Sequence, residues 1–131
     1  MAAFKDILQS ADWKTEKHIP VIEAPDKVKK AEPVKVTITV GKEIPHPNTT
    51  EHHIAWLAVY FLPQAEKFPY QLGRVEFSAH GASVQGPNTS TVFTLPQASF
   101  NFKTDKPGTI LVSSYCNIHG LWESSKELGV E

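Results

Sequence analysis

The sequence predicts an all-β fold, a sandwich or a barrel, from two observations. Short apolar segments with the alternation, or the β-branched and aromatic composition, of strands recur along the 131 residues. Ten prolines and seven glycines are scattered between these segments, as turns are in an all-β chain. Hydrophobic residues make up 40% of the chain and charged residues 21%, which is typical of a folded globular domain. We therefore expect one domain spanning residues 1–131.

The individual elements follow from their local patterns. Four aliphatic side chains alternate with lysine and threonine in Val34–Val40, which predicts a strand with one buried face. Ile54–Phe61 is apolar on both faces and is predicted to be a central strand that is covered on both sides. Short helices are predicted at Phe4–Leu8 and between Ser124 and Gly129. Shorter strands are predicted at residues 74–78, 91–95, 98–103 and 109–115.

Composition and targeting signals exclude several classes of function. The net charge of −1 argues against nucleic acid as a main partner, because duplex binding needs a clustered basic face. The longest apolar run, Ile54–Leu62, is shorter than the roughly 20 residues of a membrane-spanning helix. The first residues lack the basic and then apolar pattern of a secretory signal. We expect a cytoplasmic protein with neither a nucleic-acid nor a membrane partner.

The unusual feature of the composition is six histidines beside a single cysteine. One cysteine excludes an intramolecular disulfide. Cys116 and His119 form a Cys-x-x-His unit after the last predicted strand, and this gap lets both side chains reach one ion. His46 and His52 lie at the two ends of a proline-containing loop, and His18 lies in a second such loop. Loops on a rigid β scaffold are frequent places for functional groups, so a metal site is indicated.

The donor types restrict the metal without deciding it. A structural zinc site favours several thiolates, and this chain offers one. A blue-copper site uses two histidines, a cysteine and usually a methionine, and Met1 is the only methionine, which weakens copper without excluding it. Iron accepts imidazole and thiolate together, and five protein ligands would leave one octahedral position for a small molecule.

The residues preceding His18 add to the iron interpretation. Lys17 is a cation that would attract an anion to an open metal site, and Glu16 could occupy the open position. A surface ion pair in an ordinary loop is the alternative for these two residues. For the whole chain, two alternatives remain open: an electron-transfer copper protein, and a non-catalytic β-sandwich binding module with incidental histidines.

Three blocks of sequence resemble superoxide reductase, in its single-iron form that is also called neelaredoxin. The blocks are Glu16–Pro20, His46–Trp56 and Cys116–Trp122, in the family order. The resemblance implies an immunoglobulin-like β-sandwich, to which the residue patterns add short N- and C-terminal helical segments. It implies one-electron reduction of superoxide to hydrogen peroxide without formation of oxygen, in superoxide detoxification. It also implies a rubredoxin-like electron donor and a homotetramer.

The resemblance further implies the ligands of one non-haem iron, which are His18, His46, His52, His119 and Cys116. Glu16 would bind the resting ferric iron, and Lys17 would steer the anion and hydrogen-bond solvent near it. Backbone amides of Ile118 and His119 would hydrogen-bond the sulfur and tune its donation. His53 and His80 fall outside the ligand pattern, and His80 is predicted to be structural or on the surface.

Overall fold

Almost all regular structure in the protein is β-strand. The structure is a computed structural model, and it describes residues 1–12 and 14–131. The elements in chain order are α1 (Phe4–Ile7), β1 (Pro20–Glu23), β2 (Lys27–Val28), β3 (Val34–Val40), β4 (Ile54–Pro63), β5 (Tyr70–Glu76), β6 (Gln97–Phe102), β7 (Gly108–Cys116) and β8 (Gly120–Val130). Within the described residues, no helix has the length and apolar character needed to span a membrane.

Two sheets pack face to face around one apolar core. The smaller sheet has the order β1-β3-β6, and the larger has the order β2-β8-β7-β4-β5. Strand β2 is parallel to β8, and every other pair is antiparallel. The predicted alternation of β3 is confirmed, since its aliphatic residues are buried and its polar residues are more exposed. The core side chains come from both sheets and include Val34, Val36, Ile38, Leu57, Val59, Ile110, Val112 and Leu128. The all-β sandwich prediction is confirmed.

Strand β4 is an interior strand of the larger sheet, paired with β7 on one side and β5 on the other. Its inward residues Leu57, Val59 and Phe61 are buried. On its outer face Trp56 and Tyr60 are only half-buried, so the predicted cover on both sides is incomplete within the chain. Because one face looks into the core and the other is aromatic, the sequence of this strand is apolar throughout.

The predicted C-terminal helix between Ser124 and Gly129 is wrong, because these residues lie inside β8. Ser, Lys, Glu and Leu in this stretch have no strong strand preference of their own. Pairing with β7 from Cys116↔Gly120 to Gly108↔Leu128 overrides local propensity here. The N-terminal helix is confirmed as the short α1, in which Asp6 Oδ2 accepts a hydrogen bond from Ala3 N at 2.9 Å.

Three further differences concern short segments. The predicted strand 91–95 forms only an isolated bridge, between Phe93 and His80. Strand β1 lies within a stretch that its prolines predict to be a loop. A strand can nevertheless form here, because Pro20 is the first residue of an edge strand, where a missing N–H breaks no hydrogen bond of the ladder. Strand β2 (Lys27–Val28) is too short to leave a pattern in the sequence, and it forms by parallel pairing with β8. The predicted proline-containing loop that carries His46 is confirmed, because residues 41–51 form neither helix nor strand.

The strand ends bring the predicted ligand segments to one end of the sandwich. Cys116 is the last residue of β7 and is paired with Ile54, the first residue of β4. His18 lies just before β1, whose first residue Pro20 pairs with Val40 at the end of β3. The loop from β3 to β4 therefore starts and finishes beside the other two segments.

Candidate metal centre

Four histidine side chains form a closed square at this end of the sandwich. Neighbouring ring centroids are 4.8 Å apart for His18 and His46, and 4.6 Å apart for His46 and His52. The square closes through His119, which lies 5.0 Å from His52 and 4.8 Å from His18. Across the square, His18 and His52 are 6.4 Å apart. Four imidazoles thus surround one central point.

The thiol of Cys116 approaches the same point. Its Sγ lies 3.4 Å from His46 Nε2 and 3.8 Å from His119 Nδ1. The ligand atoms of His18, His52, Cys116 and His119 all lie within 4.8 Å of one another. Cys116 is fully buried, and its Sγ accepts a hydrogen bond from the backbone N–H of His119 at 3.3 Å. The structure therefore brings together all five side chains that the sequence predicts as ligands.

Outward hydrogen bonds determine which nitrogens face the centre. The Nδ1 of His18 donates to Glu16 Oε1 at 2.6 Å, because the carboxylate can only accept, and its Nε2 then lies 3.1 Å from His119 Nδ1. The Nδ1 of His46 donates to Pro47 O at 2.7 Å, so its Nε2 carries no proton and directs its lone pair toward the sulfur. Such outward partners hold metal-binding imidazoles in one tautomer and orientation.

The inner nitrogen of His52 is the sharpest sign that something belongs at the centre. Among the described residues, His52 Nε2 is a buried side-chain nitrogen with no hydrogen-bond partner. A buried polar atom without a partner costs about 1–3 kcal/mol, so native structures rarely keep one. A cation at the centre would accept this lone pair together with the other three nitrogens and the sulfur. The donor set of four imidazoles and one thiolate suits an iron ion.

The environment keeps the imidazoles of His18, His46 and His52 uncharged near neutral pH. Burial lowers the pKa of His46 to about 4, although its bond to Pro47 opposes the shift. Burial also lowers the pKa of His18, against the raising effect of Glu16. The pKa of His52 is lowered by burial and then by the charges of neighbouring histidines. Neutral imidazole is the form that binds metal, so these rings need not lose a proton first.

Glu16 and Lys17 lie beside His18, with different surroundings. Glu16 Oε1 accepts hydrogen bonds from the ring and from the backbone N–H of His18, at 2.6 and 3.1 Å. Burial acts to raise the pKa of Glu16, but these hydrogen bonds outweigh it and the net shift is downward. The carboxylate thus faces the outer edge of His18, and its binding to a metal stays a prediction.

The positive charge of Lys17 acts on the cluster through space. It contributes to the lowered pKa values of His18, His46 and His52. Lys17 is half-buried, and no ion pair involving it occurs within the part of the chain that the structure describes. Its charge is therefore available to an incoming anion.

Gly41 allows the loop that carries His46 to fold back. Its φ of +74° is left-handed, a conformation that glycine adopts without steric cost. A Cβ at this position would lie 2.6 Å from the backbone nitrogen of His46 and 3.1 Å from the carbonyl oxygen of Lys17. The close approach leaves no room for a larger residue between two segments of the site.

Comparisons with known proteins agree with this geometry. The sequence model of the family described as Desulfoferrodoxin matches residues 10–125. The chain belongs to the desulfoferrodoxin family. A superoxide reductase of Pyrococcus furiosus is 59% identical over 123 residues, covering 94% of this chain and 97% of the relative.

Two solved structures of similar proteins extend the likeness to three dimensions. A Thermotoga maritima protein has a TM-score of 0.97 at 56% identity, covering 100% of this chain and 99% of its own. A superoxide reductase (neelaredoxin) of Archaeoglobus fulgidus in the reduced form has a TM-score of 0.87 at 58% identity, covering 94% and 98%. The desulfoferrodoxin fold thus spans essentially the whole chain.

The desulfoferrodoxin site also uses residues that sequence reasoning missed. Asn117 lies between two predicted ligands, and its Oδ1 accepts from His53 N at 2.8 Å while its Nδ2 donates to Glu51 O at 2.9 Å. Trp122 stacks on the His18 ring at 4.6 Å, and its indole N–H donates to His119 O at 3.2 Å. Both residues lie inside the Cys116–Trp122 block that resembles the family, and this position is the only feature of the sequence that could have indicated their roles.

His53 and His80 stand apart from the square. Their rings stack in parallel, with centroids 3.6 Å apart. His53 Nδ1 donates to Thr49 O at 2.9 Å, while the nitrogens of His80 contact Asn48 Oδ1 and the carbonyl oxygen of Phe77. The adjacent His52 points inward, so consecutive histidines serve opposite sides of the loop. The prediction that His80 is structural or on the surface agrees with these contacts.

The copper alternative fits this donor set less well. A blue-copper centre takes two imidazoles and one thiolate, whereas four imidazoles converge here. Met1, the sole methionine, is fully exposed and contributes nothing to the centre. The geometry also argues against a binding module with incidental histidines, because unrelated histidines would not share one centre.

Proposed function

We propose that this protein is a superoxide reductase, which reduces superoxide to hydrogen peroxide at one non-haem iron without forming oxygen. The observation that carries the proposal is the square of four imidazoles closed by a buried thiol, with one inner nitrogen left unpaired. Similarity to proteins named superoxide reductase supports it. The proposed ligands are His18, His46, His52, His119 and Cys116.

The chemistry adds one electron and two protons to superoxide and yields hydrogen peroxide. Iron, when bound, supplies the electron. The chain's own contribution is a fixed donor set, in which imidazole orientation is held by Glu16 and Pro47. Cys116 contributes an electron-rich thiolate. Its Sγ accepts a hydrogen bond from the backbone N–H of His119, and this bond withdraws part of the negative charge of the sulfur.

Lys17 and Glu16 are the proposed residues for handling substrate and protons. The ammonium group of Lys17 attracts the superoxide anion and holds solvent from which protons are delivered. Glu16 is proposed to bind the resting ferric iron, for which its carboxylate must leave the ring of His18.

Further parts of the proposal concern the protein as a whole. We infer a single desulfoferrodoxin domain over residues 1–131, a cytoplasmic location and a role in superoxide detoxification. Electrons would come from a small donor such as a rubredoxin, and the assembly would be a homotetramer. The family likeness supports these expectations.

Anaerobic rapid mixing of the reduced, iron-loaded protein with superoxide tests the reaction. Elemental analysis first establishes the metal, and we expect about one iron per chain. One peroxide should form per superoxide consumed, with one iron oxidised and no oxygen released. Oxygen evolution at half the superoxide consumed would indicate dismutation instead. Copper in place of iron, or a purified protein that takes up no metal, would contradict the proposal.

A further inference from the structure

The loop between β3 and β4 (residues 41–53), which carries two histidines of the square, packs against a long connection that supplies none of the proposed ligands. This connection joins β5 to β6 and comprises residues 77–96. Its own hydrogen bonds give it a defined shape, since the backbone N–H of Thr89 donates to Gly81 O at 2.8 Å. A connection held in this way can support the loop beside it.

Asn88 is the residue of the connection that bonds to the loop nearest to His52. Its side-chain Oδ1 accepts a hydrogen bond from the backbone N–H of Thr50 at 2.9 Å. Its Nδ2 donates to both carboxylate oxygens of Glu51, at 3.0 and 2.8 Å. The backbone N–H of Asn88 donates in turn to Thr50 Oγ1 at 3.1 Å. One side chain thus joins the connection to the two residues that directly precede a proposed ligand.

The backbone around Asn88 is shaped for this contact. Asn88 has a φ of +58°, a left-handed conformation that asparagine adopts more readily than most residues. Gly81, with a φ of +105°, lies so close that a Cβ there would be 3.1 Å from Asn88 Oδ1 and 3.1 Å from Thr50 Oγ1. A side chain at position 81 would therefore crowd both partners of the contact.

Two more hydrogen bonds join the same connection to the loop. Asn48 Nδ2 donates to Thr94 O at 2.8 Å, and Thr50 Oγ1 donates to His80 O at 3.2 Å. The connection therefore contacts loop positions 48, 50 and 51, all of which lie between the two ligand histidines of the loop. Contacts at these positions fix where the loop places its histidines.

The orientation of His52 depends on its backbone. The rings of His18 and His46 are held by outward hydrogen bonds from their Nδ1 atoms. Among the described residues, no hydrogen bond to the ring of His52 occurs, although its backbone N–H is bonded. Because no outward partner orients this ring, its direction follows from the placement of the residues before and after it.

We propose that Asn88 is a positioning residue of the metal centre, which holds Thr50 and Glu51 so that the Nε2 of His52 faces the other ligands. This role rests on the proposed iron site and adds to it a residue that acts through its neighbours without touching the ion. Asn117 bonds to the same loop from the turn that carries the cysteine, so the loop is held from two segments. Partners that orient metal ligands affect metal affinity by about 10–100-fold.

Replacing Asn88 by aspartate tests the role with little change in size. Aspartate keeps an acceptor for the N–H of Thr50, but it places a carboxylate against that of Glu51 in place of an N–H donor. We expect Asn88→Asp to lower the affinity of the folded, metal-free protein for ferrous iron by about tenfold or more. The added negative charge by itself would attract a cation, so a loss of affinity reports on ligand position. Anaerobic competition with a chelator of known affinity measures it.

A second substitution should restore the contact with donor and acceptor exchanged. In the double variant with Asn88→Asp and Glu51→Gln, the new amide donates to the new carboxylate, and the net charge equals that of the wild type. This variant should recover most of the lost affinity. Gln85→Glu is the matched control, because Gln85 is exposed on the same connection and only its backbone is hydrogen-bonded there. It adds the same charge as Asn88→Asp, and it should bind iron as the wild type does.

Stability and absorption measurements distinguish positioning from a purely structural role. A structural role would lower the urea stability of metal-free Asn88→Asp without changing its iron affinity or the thiolate-to-iron absorption band. A positioning role shifts that band, and the double variant returns it to the wild-type position. Asn88→Gly removes the side-chain bonds and keeps the left-handed backbone, so it gives the same comparison where circular dichroism shows that aspartate disturbs the fold.

Two results would overturn the positioning role. One is a folded Asn88→Asp or Asn88→Gly protein that binds iron as tightly as Gln85→Glu does. The other is a double variant whose affinity and absorption band remain those of Asn88→Asp. Either result leaves superoxide reduction by the wild-type protein untouched. A wild-type protein that takes up no iron would instead contradict the proposed function, and the positioning role with it.

Discussion

Replacing Asn117 by alanine tests how the two ligand-bearing segments are held together. The Asn117 side chain joins the turn that carries Cys116 and His119 to the loop that carries His52. It does so through two hydrogen bonds, with His53 N at 2.8 Å and with Glu51 O at 2.9 Å. Alanine removes both bonds and leaves the backbone of the turn unchanged.

The magnitude follows from the number of bonds lost. Each intramolecular hydrogen bond contributes about 0.5–1.5 kcal/mol net, so two give about 1–3 kcal/mol. Residues that orient metal ligands also affect affinity, by about 10–100-fold. We therefore expect Asn117→Ala to lower the free energy of unfolding by about 1–3 kcal/mol without metal. With iron bound, we expect an additional loss of about 1.4–2.7 kcal/mol.

Urea unfolding of the metal-free and the iron-loaded protein measures the two losses separately. Ligand binding adds to stability in proportion to the logarithm of affinity, so the difference between the two losses reports on the metal alone. Asn101→Ala, at an exposed position of β6, is the control and should change stability by less than about 0.5 kcal/mol. Equal losses in both forms would show that Asn117 stabilises the fold without positioning ligands, which would refute the reasoning.

Four further outcomes are expected. Cys116→Ser should abolish the thiolate-to-iron charge-transfer absorption of the iron-loaded protein, and retention of that band would remove the sulfur from the ligand set. Lys17→Ala should slow the reaction with superoxide by about tenfold and flatten its dependence on ionic strength, because a steering charge is lost. Unchanged rates at low and high salt would rule out steering. Glu16→Ala should open the ferric site to cyanide, and a ferric spectrum that does not respond to cyanide counts against Glu16 as a ligand. Burial lowers the pKa of His80, so the unfolded chain takes up its proton at higher pH than the folded chain does. The stability that neutral His80 contributes is full above pH about 6.5 and decreases as the pH falls toward the lowered value. His80→Gln should therefore reduce the acid-side slope of stability in urea unfolding of the metal-free protein, and an identical slope would contradict this account.

The sequence predicts the centre of the fold better than its edges. The strand Val34–Val40 is recognisable because alternation with a buried face leaves a period of two in the residues themselves. Strand β8 cannot be recognised from the sequence in this way, because its stretch around Ser124 and Ser125 is polar and gains its conformation from pairing with β7. Residues 91–95 show the reverse error: β-branched and aromatic composition predicts a strand, yet the segment makes one bridge and exposes its apolar side chains.

Some residues of the site can likewise be predicted from local spacing in the sequence, whereas others depend on contacts between distant segments. Cys116 and His119 share a turn, so their spacing alone suggests a common ion. His18 joins them from about a hundred residues away in sequence, and only the resemblance of whole blocks to a family connects it. The supporting roles of Asn117 and Trp122 depend on what their side chains contact, which no spacing rule supplies.

The consecutive pair His52 and His53 shows how the loop serves both fold and site. The two side chains point to opposite sides of the loop, His52 toward the other ligand histidines and His53 toward His80. His53 packs against His80 and bonds Thr49 O, which fixes the outer side of the loop. Because the backbone of His53 is also bonded to Asn117, the inward direction of His52 is determined from two sides. The unpaired Nε2 of His52 is thus held toward the centre by contacts of the loop itself, which fix the direction in which this nitrogen would bind an ion.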